Sequence, residues 1–207
     1  MKVALFGGTG FVGSYIIDEL LNHKYSPKLL VRESSEKKLL KPRKCEIIVA
    51  NQTNKAAMAK LIKSVDVVIY SIGLVREFPH KGITFQETQF DGVKDSVDLA
   101  KEHGIKRYIL VSANGAKLDG TKYQSTKYLA EEYLKHSDLE WTIFRPSLCF
   151  GDPRGGGRPE FCSQLKKDML KLPIPSPNFH SGLLPCLLYT SDAADEGLGV
   201  DLGGRRI

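Results

Sequence analysis

The first thirteen residues limit the fold of this chain more narrowly than any other part of its sequence. Residues 1–6 read as a short buried strand, and a run with glycine at positions 7, 8, 10 and 13 follows and opens a helical stretch. Glycines at such a junction let the backbone turn tightly, let a pyrophosphate approach closely and let the helix pack against the sheet. The phosphates would meet the free N–H groups at the positive end of that helix. We therefore predict a dinucleotide-binding turn; the alternative is a tight turn that binds no ligand. The turn consists of Gly7, Gly8, Thr9, Gly10, Phe11, Val12 and Gly13.

The composition argues against several classes of protein. The 207 residues are 42% hydrophobic and 26% charged, which suits one globular domain with a sizeable core. The net charge is +6, but the basic residues are spread along the chain, so we expect no nucleic-acid partner. The four cysteines have neither C-x-x-C spacing nor the spacing of a zinc site, so we expect free thiols and no metal. No apolar run has the length of a signal peptide or a transmembrane segment, and we expect a cytoplasmic protein.

Strand and helix patterns alternate along the chain. The apolar runs predict strands over residues 1–6, 28–31, 46–49, 65–70, 107–111 and 141–144. Amphipathic spacing predicts helices over residues 11–22, 55–63, 84–102 and 123–136. Near-continuous apolar strands with helices between them require a parallel sheet that is covered on both faces. The predicted fold is therefore α/β, a doubly wound, Rossmann-like parallel sheet.

The alternating pattern of strands and helices does not continue beyond this domain, which we place at residues 1–152. Residues 153–185 are expected to begin a substrate-side subdomain that is cut short, with one helix over residues 159–172. Residues 186–207 resemble a translated transposase-type sequencing adapter, so we expect a non-native tail; the alternative is a genuine glycine-rich tail.

The ends of the next three strands indicate how a nicotinamide nucleotide would bind. Arg32 comes first after the second strand, where an arginine suits the 2′-phosphate of NADPH and an acidic residue suits the ribose of NADH. We therefore favour NADPH, the alternative being a solvated basic loop with Glu33 on the ribose. Asn51, after the third strand, is placed to contact adenine. The nicotinamide ribose would lie beside the residues that follow the fourth strand, Ser71, Ile72 and Gly73.

A tyrosine and a lysine are the candidates for chemistry. Tyr123 and Lys127 are four residues apart in a predicted helix, so they project from one face and could reach one ligand. The helix follows the fifth strand, whose carboxyl end carries Ser112 and lies at the edge where open α/β sheets bind ligands.

With these residues assembled, the chain resembles the atypical short-chain dehydrogenase/reductase superfamily, in particular NAD(P)H-binding NmrA-like proteins and relatives of the 39 kDa-type NADH-ubiquinone oxidoreductase subunit. The resemblance is carried by residues 7–13, Arg32, 104–112, 123–127 and 145–151. It implies that Tyr123 transfers a proton to or from the substrate, that Lys127 lowers the pKa of that tyrosine and holds the nicotinamide ribose, and that Pro146 frames the nicotinamide pocket. It also implies a serine that polarises the substrate carbonyl. Ser112 is the candidate, the alternative being a strand-end hydroxyl that satisfies the backbone.

Two functions remain open at this stage. The first is an NADPH-dependent reductase of a small organic carbonyl or quinone-like substrate. The second is a noncatalytic NADPH-binding subunit, assembly factor or redox sensor that acts through a protein partner.

Overall fold

One sheet organises the part of the chain that the structure describes. The structure is a computed structural model, and it describes residues 1–154, Lys166 and 200–202. The strands are β1 (Lys2–Phe6), β2 (Ser26–Val31), β3 (Glu46–Val49), β4 (Val67–Tyr70), β5 (Arg107–Val111), β6 (Glu140–Phe144) and β7 (Val200–Leu202). Their order across the sheet is β3-β2-β1-β4-β5-β6-β7, with β1 to β6 parallel and β7 antiparallel to β6. The strand order reverses between β1 and β4, which is where open α/β sheets bind ligands. The predicted Rossmann-like fold is confirmed.

The helices cover both faces of the sheet. They are α1 (Phe11–Asn22), α2 (Lys55–Ile62), α3 (Gly92–Glu102) and α4 (Lys122–Lys135). Successive side chains of a strand point to opposite faces, so Val3 and Leu5 of β1 pack with α1 while Ala4 and Phe6 pack in the core that holds α2, α3 and α4. The two cores hold α1 against one face of the sheet and α2, α3 and α4 against the other.

The helix predicted over residues 84–102 begins differently. A π-helix, Gln86–Asp91, precedes α3. The hydroxyl of Tyr70 donates to the carbonyl of Thr88 at 2.7 Å, and in a regular α-helix that carbonyl would accept from the N–H of Gly92. Gly92 lies against the same hydroxyl, because a Cβ there would sit 2.2 Å from it. The wider turn therefore accommodates a buried tyrosine from β4.

The later segments are described only in small part. The predicted helix over residues 159–172 lies outside the described residues except for Lys166, which is helical. Of the predicted tail, Val200–Leu202 forms the edge strand β7. Within the described residues, no helix combines the length and the apolar character needed to cross a membrane.

Candidate functional site

The residues predicted for the site lie along one edge of the sheet, where the six parallel strands end. Residues 7–13 follow β1, Arg32 follows β2, and Asn51 comes two residues after β3. Ser71, Ile72 and Gly73 follow β4, Ser112 follows β5, and Pro146 comes two residues after β6. Tyr123 and Lys127 lie in the first half of α4, which begins above the end of β5. The fold thus brings the predicted residues to one side of the molecule.

The turn between β1 and α1 has room for glycine alone at two positions. Gly7 has a φ of +89°, and a Cβ there would lie 2.7 Å from the carbonyl oxygen of Ser71. A Cβ at Gly13 would lie 2.1 Å from the carbonyl oxygen of Gly7. The N–H of Gly10 donates to that same carbonyl at 3.0 Å and closes the turn. The turn therefore holds the ends of β1 and β4 and the start of α1 in close backbone contact.

The start of α1 suits an anion. Gly10 is the N-cap residue, no side chain caps the helix, and the first turn has no acidic residue. The N–H groups of a first helical turn carry partial positive charge and need acceptors. Together with the glycine turn, this 12-residue helix offers a pyrophosphate the backbone cradle that a dinucleotide requires.

Two of the predicted nucleotide contacts are exposed. Arg32 precedes a short 3-10 helix, Glu33–Lys38, and its guanidinium contacts no partner within the described residues. Asn51 is exposed as well, and within the described residues its one hydrogen bond is accepted by its backbone carbonyl from the N–H of Asn54 at 3.0 Å. Both side chains have their hydrogen-bonding groups available to a ligand.

The loop that follows β4 is tied to α4 by a residue that the sequence analysis missed. Gln89 lies in the π-helix and is 1% exposed. Its amide nitrogen donates to the carbonyl of Leu74 at 3.1 Å, and its amide oxygen accepts from the hydroxyl of Thr126 at 3.0 Å. No spacing rule marks a buried glutamine in advance. The bridge fixes the loop that holds Ser71, Ile72 and Gly73.

Lys127 is a buried cation at neutral pH. Its side chain is 4% exposed and its Nζ donates to the carbonyl of Val111 at 3.0 Å. A Cβ at Gly73 would lie 3.7 Å from that nitrogen, so the lysine reaches the loop predicted to meet the nicotinamide ribose. Burial lowers the pKa of Lys127 to about 8, although attraction to Glu131 opposes this change.

Tyr123 is half-buried, and its surroundings keep the phenol protonated. Its ring packs edge-on against Phe85, with the centroids 5.5 Å apart. Burial raises its pKa, and the nearby Cys149 raises it further. The resemblance implied that Lys127 lowers the pKa of this tyrosine, whereas its surroundings in the structure raise that pKa. A neutral phenol can give up a proton to a bound substrate.

The hydroxyl of Ser112 is bonded to a side chain and not to the backbone. Its hydroxyl donates to the carboxylate of Glu131, which is fully buried. Glu131 also accepts from the Nε of Arg145 at 3.0 and 3.1 Å. The proton of Ser112 is therefore bound by a buried carboxylate whose other partner, Arg145, is exposed. The spacing of Lys127 and Glu131, four residues apart on one helix, was the available signal for this carboxylate.

The backbone of Pro146 joins the loop that follows β6 to the loop that follows β5. Its carbonyl accepts from the N–H of Asn114 at 2.9 Å, and the N–H of Ser112 donates to the carbonyl of Phe144 at 2.7 Å. These two bonds continue the pairing of β5 and β6 beyond their ends. The loops after the two strands therefore leave the sheet side by side, next to Tyr123.

A family model described as NAD(P)H-binding matches residues 7–168 of the chain. The chain is 28% identical over 115 residues to ceramide reductase of Caulobacter vibrioides, covering 56% of this chain and 35% of that protein. It is 26% identical over 152 residues to the mitochondrial NADH-ubiquinone oxidoreductase 40 kDa subunit of Neurospora crassa, covering 71% of this chain and 40% of that protein. The chain thus matches well under half of the length of either relative.

Solved structures show the same architecture. A putative NAD-dependent epimerase/dehydratase from Bacillus halodurans superposes with a TM-score of 0.62 at 31% sequence identity, covering 73% of each chain. The Bordetella bronchiseptica enzyme WbmH, solved in complex with NAD+, superposes with a TM-score of 0.65 at 19% identity, covering 75% of this chain and 58% of that one. The second likeness concerns the fold alone.

Proposed function

The chain belongs to the NAD(P)H-binding family, and on this premise we propose that it is an NADPH-dependent reductase of a small organic carbonyl or quinone-like compound. The observation that carries the proposal is the placement of Tyr123 and Lys127 one helical turn apart on α4, at the carboxyl edge of the sheet. The reduction of a carbonyl needs a proton donor, which the neutral phenol of Tyr123 would supply, and a nearby positive charge, which the buried amine of Lys127 would supply. The glycine turn and the uncapped start of α1 would hold the pyrophosphate.

Each residue has a distinct task in this proposal. Bound NADPH would supply a hydride to the substrate carbon. The hydroxyl of Tyr123 would give its proton to the substrate oxygen, so that a carbonyl becomes an alcohol, and the phenolate would take a proton back from solvent. Lys127 would hold the nicotinamide ribose, and its positive charge would stabilise the phenolate as it forms. Ser112, whose proton is bound by Glu131, would take no part in polarising the carbonyl.

The preference for NADPH is expected to come from Arg32. We expect the protein to bind NADPH more tightly than NADH, and Arg32→Ala to narrow that gap about tenfold or more. A paired, charge-assisted phosphate contact is worth on the order of 1.5 to 3 kcal/mol. Calorimetric titration with each nucleotide measures the gap. Arg43→Ala removes the same charge from the neighbouring exposed segment and should leave the gap unchanged. Equal affinities of the unaltered protein for both nucleotides would reject the preference.

Tyr123 is tested through turnover. With a quinone such as menadione and a panel of aldehydes and ketones as probes, Tyr123→Phe should abolish NADPH oxidation and leave NADPH affinity nearly intact, because only the transferable proton is lost. Tyr128→Phe makes the same change five residues further along α4 and should keep its activity. An unchanged rate in Tyr123→Phe would exclude acid catalysis by this tyrosine.

A noncatalytic NADPH-binding subunit that serves a protein partner is the second candidate. Two observations favour it: Ser112 is held by a buried carboxylate, and the 40 kDa subunit of Neurospora crassa aligns with 71% of this chain. NADPH would then raise the melting temperature without being oxidised in the presence of any probe. Oxidation that depends on Tyr123 would reject this candidate.

A further inference from the structure

A buried carboxylate lies behind Lys127, and the reaction outlined above does not use it. We propose that Glu131 is a positioning residue, which anchors the helix that carries Lys127 to the ends of β5 and β6 and keeps the lysine charged for nucleotide binding. This inference deepens the proposed function and depends on it only for the role of Lys127 at the nucleotide. The Glu131 cluster is defined here as Ser112, Glu131 and Arg145.

The contacts of the cluster join three elements. Glu131 lies on α4 and is fully buried. It accepts from the hydroxyl of Ser112, which directly follows β5, and from two nitrogens of Arg145, which directly follows β6. A buried carboxylate is tolerated only where such partners compensate the loss of water. The cluster therefore fixes α4 at the edge of the sheet where β5 and β6 end.

Lys127 lies one helical turn before Glu131, on the same face of α4. The charged group that acts on it is Glu131, on its own helix, and Arg145, which follows β6, lies on the far side of that carboxylate as its ion-pair partner. From the other elements, β5 provides the carbonyl of Val111, and the loop after β4 provides the backbone at Gly73.

The attraction between Lys127 and Glu131 has a measurable consequence. It raises the pKa of the lysine against the larger effect of burial, and the two leave that pKa at about 8. Without the negative charge, burial would act alone and the amine would lose its proton closer to neutral pH. The carboxylate thus extends the pH range in which Lys127 can hold a nucleotide as a cation.

The test is the pH titration of Lys127 in the full chain without nucleotide. NMR of protein labelled with 13C-lysine reports the protonation of each amine, and Lys127→Met assigns the signal. Glu131→Gln keeps an acceptor for Ser112 and removes the charge, so the titration of Lys127 should move to lower pH. Glu132→Gln makes the same substitution on the same helix, at a residue that pairs with Lys135, and should leave the titration in place. A titration that Glu131→Gln does not move would overturn the proposal.

A second variant separates the charge of Glu131 from its structural role. Glu131→Gln leaves Arg145 without its carboxylate, whereas Glu131→Gln combined with Arg145→Gln removes both charges and leaves two amides that can bond to each other. Arg145→Gln alone measures the effect of the positive charge on Lys127. If the double variant, corrected for that effect, titrated as the unaltered protein does, the ion pair would serve only to hold the fold and the proposal would fail. We expect the titration to remain at lower pH.

Nucleotide binding gives a third readout. NADPH affinity should begin to fall at a lower pH in both Glu131 variants than in the unaltered protein, with similar affinities at about pH 6 where Lys127 is charged in all of them. If the unaltered protein bound no NADPH, the proposed function would fail, yet the titration of Lys127 would still decide the role of Glu131.

Discussion

The buried amine of Lys127 has a free-energy cost that depends on pH. The pKa of this lysine is about 8 in the folded protein, against an ordinary value of 10.5. Between these two pH values the unfolded chain binds more protons than the folded one, so the free energy of unfolding rises with pH across that range. Below about pH 8 the amine is charged in both states, and the folded protein bears the full cost of burying it. A costly group at the carboxyl edge of the sheet is consistent with selection for function over stability.

Replacing this amine should therefore stabilise the protein. Lys127→Met keeps the length of the side chain, removes the buried charge and loses one hydrogen bond, so the free energy of unfolding should rise by about 1 to 2 kcal/mol at about pH 7. The difference between the two proteins should shrink as the pH approaches 10, where the unaltered lysine is neutral in the fold. Urea unfolding at several pH values measures both effects, and NADPH titration should show weaker binding.

Lys135 provides the control for this experiment. It lies on the same helix, is partly exposed and pairs with Glu132 at 3.1 Å, so Lys135→Met should change stability by about 0.5 kcal/mol or less, as surface substitutions do. A Lys127→Met variant that is less stable than the unaltered protein at every pH would contradict the cost of burial.

The sequence could indicate Tyr123 and Lys127 because their spacing of four residues is local. Ser112 was a candidate for the same reason, since it follows a readable strand. The spacing from Lys127 could mark Glu131, but the bonds of Glu131 were not predictable, because it lies 19 positions from Ser112 and 14 from Arg145. Periodicity assigns charged residues to the surface, and only the packing of α4 against the ends of β5 and β6 reverses that assignment for Glu131.

At the scale of elements, the glycines of the β1–α1 turn serve different purposes. Gly13 lets α1 approach the backbone of Gly7, since a Cβ there would be 2.1 Å from the Gly7 oxygen. Gly10 has an ordinary extended conformation, and the nearest atom to a Cβ there would be the same oxygen at 3.2 Å. The first glycine is therefore required for packing. The second is required only where a ligand must come close to the backbone.

These purposes can be separated by substitution. Gly13→Ala should lower the free energy of unfolding by about 2 kcal/mol or more, because backbone atoms on both sides cannot yield without shifting α1. Gly10→Ala should lower it by about 1 kcal/mol or less, yet weaken NADPH binding because the methyl group occupies the approach of the pyrophosphate. Urea unfolding and NADPH titration of the two variants distinguish the effects. Equal losses of stability would show that both glycines serve packing alone.

The helix whose first part was predicted wrongly, over residues 84–102, packs against the buried Tyr70. The spacing of apolar residues over 84–102 matches a single helix. It does not indicate where a hydroxyl from a neighbouring strand will donate a hydrogen bond to a carbonyl of that helix. Tyr70 does so at Thr88, and the π-helix results. Such insertions are frequent next to functional sites, and this one places Gln89 against the loop that follows β4.

At the scale of the whole molecule, alternating strands and helices were enough to predict the class of fold. Given the strand order, with its reversal between β1 and β4, right-handed connections between parallel strands place helices on both faces of the sheet. The same order explains why residues from six separate loops lie along one edge. The pairing of β7 was not predictable, since three residues are too short a run to indicate a strand and their partner strand is about 60 positions earlier in the chain.

The resemblance of residues 186–207 to a translated adapter leads to a prediction for the whole molecule. A segment of that origin was never selected to fit this core. Its described part, β7, pairs only with β6, and β6 is also paired with β5 along all five of its residues. The strands β5 and β6 therefore lie between β7 and the crevice between β1 and β4. Deleting residues 186–207 should therefore change the free energy of unfolding by less than about 1 kcal/mol and leave NADPH affinity unchanged. Urea unfolding and calorimetric titration of the shortened chain test this, and a loss of about 2 kcal/mol or more, or weaker NADPH binding, would show that the segment is a working part of the fold.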